Sequence, residues 1–355
     1  MAWLGRAPAR PFAALQIEVT SRCNLKCVMC PVTVLAGRWA PRDLAWDTFE
    51  RIAAAFDRTQ WVYLQGWGEP MLHPRLYDMV WRAKQAGCRV GFTTNGTRLT
   101  RANGARLLEL GLDLIAVSIA GARAATHEAI RAGSDFGKLV ANVRGFLELR
   151  EGAGSRTPKV EIFYLMTPGN LGELAQAVEL AAELGADELV ATNLDYVINP
   201  ELDALRAYAA TPPERPKREA LEAAETAARR AGIAFRPHRL EFREMAVCDL
   251  NPLKILYIGS DGSVSPCVYT SLAGSAELPR VFEGRAHQVP VACFGNVNQR
   301  PLMEIWEDAA YREFRGRFAR RVPSAAHALL GAAGGPEAEE APPEACRSCP
   351  KLYGV

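Results

Sequence analysis

The chain reads Cys23-Asn24-Leu25-Lys26-Cys27-Val28-Met29-Cys30 shortly after residues 15–19, a short segment for which we predict a β-strand. Three thiols with spacers of three and two residues are typical of a metal-binding loop, called here the first cysteine loop. A four-iron cluster takes four ligands, so Cys23, Cys27 and Cys30 would leave one iron open to a substrate or cofactor. A zinc loop completed by a distant residue and a group of reduced buried thiols are the alternatives. Parallel α/β sheets build their sites at the carboxyl ends of strands, which is where this loop falls.

On either side of this loop, residues 14–192 alternate short β-branched or aromatic runs with segments of helical period, which predicts βα units and a parallel sheet. The six predicted strands are residues 15–19, 61–65, 90–94, 114–119, 160–166 and 188–192. The predicted helices carry their apolar residues on one face. The example between the first two strands is Phe49, Ile52, Ala53 and Phe56. Six units are too few for a closed eight-stranded barrel, so we expect an α/β fold with a partial (β/α)6 TIM-like barrel.

The composition changes after the sixth strand and again near residue 246. Residues 197–245 are rich in Pro, Arg and Ala and hold one predicted helix, around 214–231, which indicates a connector rather than another repeat. A hairpin signal at Asp261-Gly262 and a helix near 301–318 then predict a small α+β cluster-binding domain, and residues 324–345 predict a flexible loop. We therefore divide the chain into an N-terminal extension (1–13), a partial barrel (14–196), a helical connector (197–245) and a cluster-binding domain (246–355).

The composition also argues against several classes of protein. The 355 residues hold 42 Lys and Arg against 40 Asp and Glu, a net charge of +2 that is too balanced for a protein whose main partner is nucleic acid. No apolar run is long enough for a secretory signal or a membrane span. We therefore expect a cytoplasmic protein without a nucleic-acid or membrane partner, whose nine cysteines are kept reduced. No P-loop, His-Glu-x-x-His or Gly-x-Ser-x-Gly motif supports a nucleotidase or a hydrolase.

Glycines and polar residues lie at or just after the ends of the next predicted strands, and an arginine lies in the helical segment after the fourth. These candidate binding residues are Gly66, Gly68, Glu69, Asn95, Ser118 and Arg131. Glycines let a backbone approach a ligand, a carboxylate accepts from an ammonium group, and arginine geometry suits a carboxylate. Taken singly, these positions also fit an ordinary turn, a strand end or a solvated helix residue.

In this order behind the first cysteine loop, the motifs resemble those of the radical S-adenosylmethionine (radical SAM) enzymes. The cysteine loop, with Met29 before its last cysteine, is similar to the signature loop of that family. The stretch Gly66-Trp67-Gly68-Glu69-Pro70 resembles the family's Gly-Gly-Glu-Pro motif, with Trp67 separating the two glycines. The resemblance implies that this stretch binds the methionyl amino group of SAM.

Three further positions match the family in the same order. Thr94-Asn95-Gly96 is similar to its Thr-Asn-Gly turn, and Ser118 matches a strand-end serine near the ribose of SAM. Arg131, at the end of His127-Glu-Ala-Ile-Arg131, resembles an arginine that reaches the carboxylate of SAM in relatives with accessory clusters. The resemblance therefore implies one binding site at the carboxyl edge of the sheet.

Four further cysteines lie around the predicted hairpin and far downstream of it. They are Cys248, Cys267, Cys346 and Cys349, in the pattern Cys-x13-Gly-x4-Cys followed by Cys-x2-Cys. This pattern resembles the twitch domain, the shorter relative of the SPASM domain, which holds one auxiliary [4Fe-4S] cluster. Only six residues follow Cys349, so we expect one auxiliary cluster; a zinc site on the same four thiolates is the alternative. We interpret Cys293 as a spare ligand or a neighbour of the cluster and Cys88 as a core thiol.

The resemblance also implies a function. The reduced cluster on the first cysteine loop passes one electron to SAM, and the resulting 5′-deoxyadenosyl radical abstracts a hydrogen atom from a substrate. The electron comes from a donor such as flavodoxin or ferredoxin. Relatives with twitch or SPASM domains commonly modify peptides or proteins or mature cofactors, so we expect a substrate of that kind. A small-molecule substrate and a non-catalytic, zinc- or cluster-stabilised binding protein are the alternatives.

The sequence identifies no catalytic acid or base. Residues 1–13 are too few to fold into a peptide-binding domain, so we expect recognition of a leader peptide, if there is one, to need another protein.

Overall fold

A computed structural model of the protein describes residues 10–272, 277–322 and 340–355. The strands of this part of the chain are β1 (Phe12–Ile17), β2 (Thr59–Tyr63), β3 (Arg89–Thr94), β4 (Leu114–Ile119), β5 (Lys159–Leu165), β6 (Glu188–Thr192), β7 (Ala234–Pro237), β8 (Ile255–Ile258), β9 (Ser263–Ser265), β10 (Glu277–Phe282), β11 (Arg285–Pro290) and β12 (Gly295–Asn296). Ten of them form one sheet in the order β12-β9-β8-β1-β2-β3-β4-β5-β6-β7, and β10 and β11 form a separate antiparallel pair.

Helices fill most of the connections between the strands. The α-helices are α1 (Pro31–Val34), α2 (Trp46–Ala53), α3 (Leu76–Gln85), α4 (Arg101–Glu109), α5 (Ala124–Ile130), α6 (Phe136–Gly152), α7 (Leu174–Leu184), α8 (Pro200–Asp203), α9 (Arg215–Ala231), α10 (Leu302–Trp306), α11 (Ala309–Arg321) and α12 (Glu344–Arg347). Short 3-10 turns are Phe56–Arg58, Pro70–Leu72, Leu171–Glu173, Val268–Thr270 and Pro350–Tyr353. Within the residues that the structure describes, no helix has both the length and the apolar character needed to cross a membrane.

The strands β1 to β7 lie side by side in chain order, and every neighbouring pair is parallel. Parallel neighbours need a crossover connection, which the intervening helices supply. The one-sided pattern predicted before β2 is also present, because Phe49, Ile52 and Phe56 are fully buried. The sheet is open, with β7 and β12 at its two edges. The predicted α/β fold with a partial barrel is therefore confirmed, and all six predicted strands occur with small shifts of their bounds.

The segment 197–245 contributes to the sheet, so its interpretation as a connector without a further repeat is wrong in this respect. The predicted helix around 214–231 is present as α9, and β7 follows it and pairs in parallel with β6, with Phe235 opposite Leu189. The strand is only four residues long, contains Arg236 and ends in Pro237, which gives it little of the apolar character that predicts a strand.

The predicted hairpin near Asp261-Gly262 is confirmed as β8 and β9. It does not stand apart from the barrel, because β8 pairs in parallel with β1, with Ile255 opposite Ala14. The single helix predicted near 301–318 is present as two helices, α10 and α11. Of the predicted loop at 324–345, residues 324–339 lie outside the described part of the chain. The β1–β8 pairing brings the C-terminal segment next to the strand that leads into the first cysteine loop.

Candidate active site and metal centres

The first cysteine loop follows β1 and ends at α1. Cys27 is buried, Cys23 and Cys30 are half-buried, and all three thiols are free. Backbone N–H groups of the loop donate to the carbonyl oxygens of Ile130 and Ala132, at 3.0 and 2.8 Å. The chain on either side of Arg131 therefore holds the loop in place.

The Cys27 thiol lies close enough to Cys23 and Cys30 to affect their ionisation. Burial raises the pKa of Cys23, with the nearby Glu69 carboxyl and Cys27 thiol adding to the effect. Burial, together with Cys27 and Cys23, raises the pKa of Cys30 to about 12. Thiolates are the metal-binding form of cysteine, and a bound cation favours that form. The loop is therefore suited to a positively charged iron group that offsets three adjacent thiolates.

Gly66 and Gly68 bring the loop after β2 against the segment that follows β1. A Cβ atom at Gly66 would lie 2.5 Å from the Cγ of Glu18, and one at Gly68 would lie 2.2 Å from the carbonyl oxygen of Thr20. Neither distance leaves room for a side chain. The close approach expected of these glycines is thus made to the protein itself, in addition to any contact with a ligand.

Glu18 joins three parts of the chain through one buried carboxyl group. One carboxyl oxygen accepts the backbone N–H of Trp67 at 3.0 Å, and the other accepts the hydroxyl of Ser260 at 2.8 Å. Burial raises the pKa of this carboxyl, although these hydrogen bonds oppose the shift. The position of the Gly66-Trp67 turn thus depends on β1 and on the β8–β9 hairpin together.

Glu69 fixes the turn after β3. Its carboxyl group accepts the Thr94 hydroxyl at 2.7 Å and the backbone N–H groups of Asn95 at 2.7 Å and Met71 at 3.1 Å. Burial raises the pKa of this carboxyl, and the same hydrogen bonds lower it. Because a carboxylate offers about four acceptor positions, one position remains for an ammonium group.

Asn95 connects that turn to the first cysteine loop. Its Nδ2 donates to the Oδ1 of Asn24 at 2.9 Å and lies 3.8 Å from the Sγ of Cys23. Its Oδ1 accepts the backbone N–H of Thr97 at 3.0 Å. The amide is therefore held in a single orientation beside the thiols.

A cavity of about 310 Å³ unites the predicted binding residues. It is lined by the three cysteines of the first loop and by Gly66, Gly68, Glu69, Asn95, Ser118 and Arg131. Within the described residues, the Nε atom of Arg131 is buried and has no hydrogen-bond partner. Burying a charged donor without a partner is costly, so this atom suits a ligand carboxylate, and SAM carries one.

Three aromatic residues also line the cavity, and the sequence analysis missed the two tyrosines among them. They are Trp67, Tyr196 and Tyr269, whose ring centroids lie 5.7 to 6.3 Å apart. The Tyr269 hydroxyl donates to Asp195 at 2.9 Å, and Asp195 forms an ion pair with Lys351 at 2.8 Å. Asp195 and Tyr196 follow β6 at its carboxyl end. Because parallel sheets build their sites at that end, this position could have identified both residues from the sequence.

The structure brings the four cysteines of the second group together from three segments. Burial raises the pKa of Cys248, and the thiols of Cys267 and Cys349 raise it further. Burial and the thiol of Cys349 raise the pKa of Cys267 to about 11. The pKa of Cys346 is raised by burial and then by the other three thiols. The Cys349 thiol thus lies near enough to affect the ionisation of Cys248, Cys267 and Cys346.

In the part of the chain that the structure describes, no three His, Cys, Asp or Glu side chains converge on a point where one metal ion would sit. In a four-iron cluster the cysteine ligands are spread over several iron atoms, so they need not converge in this way. The donor set of each cysteine group consists of thiols, which is the ligand type of iron–sulfur clusters.

The two remaining cysteines lie elsewhere. Cys88 is buried in the core, where its thiol donates to the carbonyl oxygens of Phe56 and Thr59 at 3.2 and 3.4 Å. Burial raises its pKa to about 11. Cys293 is exposed and lies 3.5 Å from the carbonyl oxygen of Gly295. The structure thus gives Cys88 the surroundings of a core thiol, as the sequence predicts.

Comparison with known families assigns both parts of the chain. Residues 17–195 match the radical SAM superfamily, and residues 248–350 match the SPASM iron–sulfur cluster-binding domain. The chain belongs to the radical SAM superfamily. It is therefore an enzyme with a [4Fe-4S] cluster that uses SAM, and its SPASM domain implies auxiliary iron–sulfur clusters. The family and cofactors expected from the sequence are confirmed.

Several curated relatives match most of the chain, and two of them illustrate the range. The tungsten-containing aldehyde ferredoxin oxidoreductase cofactor-modifying protein of Pyrococcus furiosus is 31% identical over 307 residues, covering 85% of this chain and 82% of that protein. The PqqA peptide cyclase of Ruegeria pomeroyi is 29% identical over 314 residues, covering 85% and 76%. Relatives of this protein thus modify a cofactor or a peptide.

Solved structures support the same fold. SuiB of Streptococcus suis, bound to S-adenosylmethionine, superimposes with a TM-score of 0.62 at 15% identity, covering 90% of this chain and 70% of that one. At this identity the likeness concerns the fold alone.

Proposed function

We propose that the protein is a maturase that abstracts a hydrogen atom from a peptide, a protein or a cofactor precursor in the cavity beside the first cysteine loop. The observation that carries the proposal is Arg131, which lines the same cavity as the three thiols and whose buried Nε has no hydrogen-bond partner among the described residues. A cationic donor beside a three-cysteine loop is suited to a carboxylate-bearing cofactor that also reaches an open iron.

In this proposal each predicted residue of the first site has a separate task. Cys23, Cys27 and Cys30 hold the cluster. Glu69 and the adjacent glycine turn receive the amino group of SAM, and Arg131 receives its carboxylate. The remaining binding residues, placed near the ribose and the turn after β3, are Ser118 and Asn95. The support for these roles is their common cavity and the hydrogen bonds that fix Glu69 and Asn95.

The cofactors supply the radical chemistry when they are bound, namely one-electron cleavage of SAM and hydrogen abstraction by the adenosyl group. The chain supplies position and protection from solvent. Trp67, Tyr196 and Tyr269 line the cavity, and the polar atom of each donates a hydrogen bond to the protein. Their rings therefore present an apolar surface that excludes water from a reactive intermediate.

We further propose that Cys248, Cys267, Cys346 and Cys349 hold one auxiliary [4Fe-4S] cluster and that a protein such as flavodoxin or ferredoxin supplies electrons. The effects of neighbouring thiols on the pKa values of Cys248 and Cys346 support the shared site. A cytoplasmic location belongs to the same proposal, since cysteines that ligate iron must stay reduced.

The relatives support two kinds of substrate. A cofactor-modifying protein and a peptide cyclase match this chain over a similar share of its length. The proposal therefore covers peptide or protein modification and cofactor maturation, and the second experiment below separates them.

The first experiment tests SAM cleavage. The protein is reconstituted anaerobically with iron and sulfide, reduced with dithionite and incubated with SAM, and 5′-deoxyadenosine is measured by chromatography. We expect product from the wild type and from Cys293→Ala, and none from Cys23→Ala. Zinc as the only metal after anaerobic purification, or product that persists in Cys23→Ala, would contradict the proposal.

The second experiment identifies the substrate class through the transferred atom. Extract from bacteria grown in deuterated medium is separated into a peptide and protein fraction and a small-molecule fraction, and each is added to the reaction. Deuterium in 5′-deoxyadenosine, measured by mass spectrometry, reports which fraction supplied the abstracted atom. If the peptide and protein fraction supplies the deuterium and protease treatment of that fraction changes the amount transferred, the substrate is a peptide or protein. If the small-molecule fraction supplies the deuterium, the substrate is a cofactor precursor.

A further inference from the structure

Arg280, on β10, is one of the most deeply buried charged residues of the described chain. Only 1% of its surface is exposed. Its guanidinium donates to the carbonyl oxygens of Ala345 at 2.9 Å and Tyr269 at 2.8 Å. Both acceptors are neutral, so neither bond balances the positive charge.

These two hydrogen bonds join segments that carry auxiliary cysteines. Ala345 directly precedes Cys346, and Tyr269 is two residues after Cys267. The planar guanidinium can bond both carbonyl groups at fixed geometry, which lysine cannot do. Arg280 therefore links two cysteine-bearing segments that are far apart in the sequence.

The charge of Arg280 also acts on the thiols themselves. It lowers the pKa of Cys267 and of Cys346, against the larger opposing effect of burial. Within the described residues its Nε atom is buried without a hydrogen-bond partner. A guanidinium keeps its charge in proteins, and burying it without an anion is costly.

Other buried cations of the same region have a carboxylate partner. Lys351 lies 2.8 Å from Asp195, and Arg321 lies 2.6 Å from Glu244. Among the described residues, Arg280 forms no ion pair with a carboxylate, and its two hydrogen bonds go to backbone carbonyl groups beside the auxiliary cysteines. A four-iron cluster on four thiolates has a net negative charge, which meets this requirement.

We propose that Arg280 is the buried counter-cation of the auxiliary iron–sulfur cluster and raises its reduction potential. Reduction adds one electron, hence one negative charge, and a nearby cation in a medium of low polarity stabilises the reduced form more than the oxidised one. The cluster is thereby a better electron acceptor. This inference rests on the auxiliary cluster of the proposed function.

The test isolates the auxiliary cluster by substituting Cys23, Cys27 and Cys30 together by alanine. In that background, Arg280→Met removes the charge, Arg280→Gln removes the charge and keeps a hydrogen-bond donor, and Arg280→Lys keeps the charge. Arg321→Met is the matched control, because it removes a buried arginine that already has a carboxylate partner. Iron content is measured, and the midpoint potential is obtained by reductive titration followed by electron paramagnetic resonance.

For Arg280→Met we expect the equilibrium constant for one-electron reduction of the cluster to fall at least tenfold, which is a decrease of at least 59 mV in the midpoint potential. Arg280→Lys should lower the midpoint potential less, and Arg321→Met should leave the midpoint potential unchanged. A fully loaded Arg280→Met protein with the wild-type potential would overturn the inference.

If Arg280→Met and Arg280→Gln do not assemble a cluster, the iron content of the variants tests the inference in place of the potential. A cluster in Arg280→Lys but not in Arg280→Met or Arg280→Gln supports the need for a cation, and equal failure of all three overturns it. If the background variant holds no iron–sulfur cluster, the error lies in the auxiliary site of the proposed function, a result distinct from an unchanged potential.

Discussion

The two cysteine groups of this protein are built in opposite ways. The first takes three thiols from one continuous loop after β1, whereas the second collects four thiols from three segments. The spacing of a single loop brings its ligands together locally. The second group depends on the folding of the whole C-terminal segment. The spacing within one loop is enough to identify the first site. The ligands of the second site are identified in the sequence by their resemblance to the twitch domain, but their geometry depends on tertiary structure.

The arginines near the two cysteine groups also differ, in how accessible they are. Arg131 lines the large cavity, and Arg280 is almost completely buried behind two carbonyl groups. Both leave a buried Nε without a partner in the described part of the protein. The first arrangement suits a ligand that enters and leaves, and the second suits a permanent negative group.

The largest expected effects come from removing one cysteine from each group. Fully loaded protein should carry roughly eight iron atoms as two four-iron clusters. Cys27→Ala should lose about half of them and all formation of 5′-deoxyadenosine. Cys267→Ala should lose a similar amount and keep SAM cleavage without substrate. Iron analysis and chromatography make the comparison, and loss of all iron in either variant would show that the groups are not independent.

A pH test addresses the framework around Arg131. His127 is fully buried, accepts the Ala120 N–H at 3.3 Å and contacts the Ser134 hydroxyl at 3.0 Å. Burial, and then the charge of Arg131, lowers the pKa of His127 to about 4 from 6.5. Above pH 6.5 the His127 side chain is neutral in both the folded and the unfolded protein. Below pH 6.5 the unfolded chain binds a proton at His127 before the folded protein does. Stability should therefore fall by at most about 3 kcal/mol as the pH drops from 6.5 to 4.

Urea unfolding of the apoprotein across this pH range measures the effect. The control is His127→Gln, which cannot titrate and should lose less stability on acidification. Parallel pH dependence in the two proteins would contradict the assignment.

Arg131→Met should weaken SAM binding about 10- to 100-fold, because it removes a charge-assisted hydrogen bond worth about 1.5–3 kcal/mol. Equilibrium dialysis without reductant measures the affinity of the iron-loaded protein. Arg131→Lys, which keeps the charge, should be intermediate. An unchanged affinity with unchanged iron content would remove Arg131 from the binding site and weaken the contrast with Arg280.

The smallest effects belong to the cysteines outside both groups. Cys293→Ala changes an exposed side chain and should alter stability by less than about 0.5 kcal/mol. Cys88→Ala removes a buried thiol and should cost about 1 kcal/mol. Both proteins should keep the wild-type iron content. Iron lost from Cys293→Ala would make Cys293 a ligand and extend the second group to five thiols.

The sequence predicts the barrel strands because each βα unit leaves a local periodic pattern. It also predicts the family from the first cysteine loop and the ordered residues behind it. It misses β7, whose four residues include Arg236 and Pro237. It also misses the pairing of β8 with β1 and the contact of Arg280 with two distant carbonyl groups. Such contacts join positions far apart in the chain, and periodicity carries no information about them.

The same distance matters while the protein is being made. The first strand pairs with β8, and Ala14 lies opposite Ile255. Chains grow at about 5–20 residues per second, so the partner strand follows the first by roughly 10–50 s. The hydrogen bond between the Glu18 carboxyl and the Ser260 hydroxyl can form only after a similar delay. The first cysteine loop therefore leaves the ribosome well before the β8–β9 hairpin that completes its surroundings. Delivery of iron and sulfide to that loop should therefore be timed after synthesis of the β8–β9 hairpin.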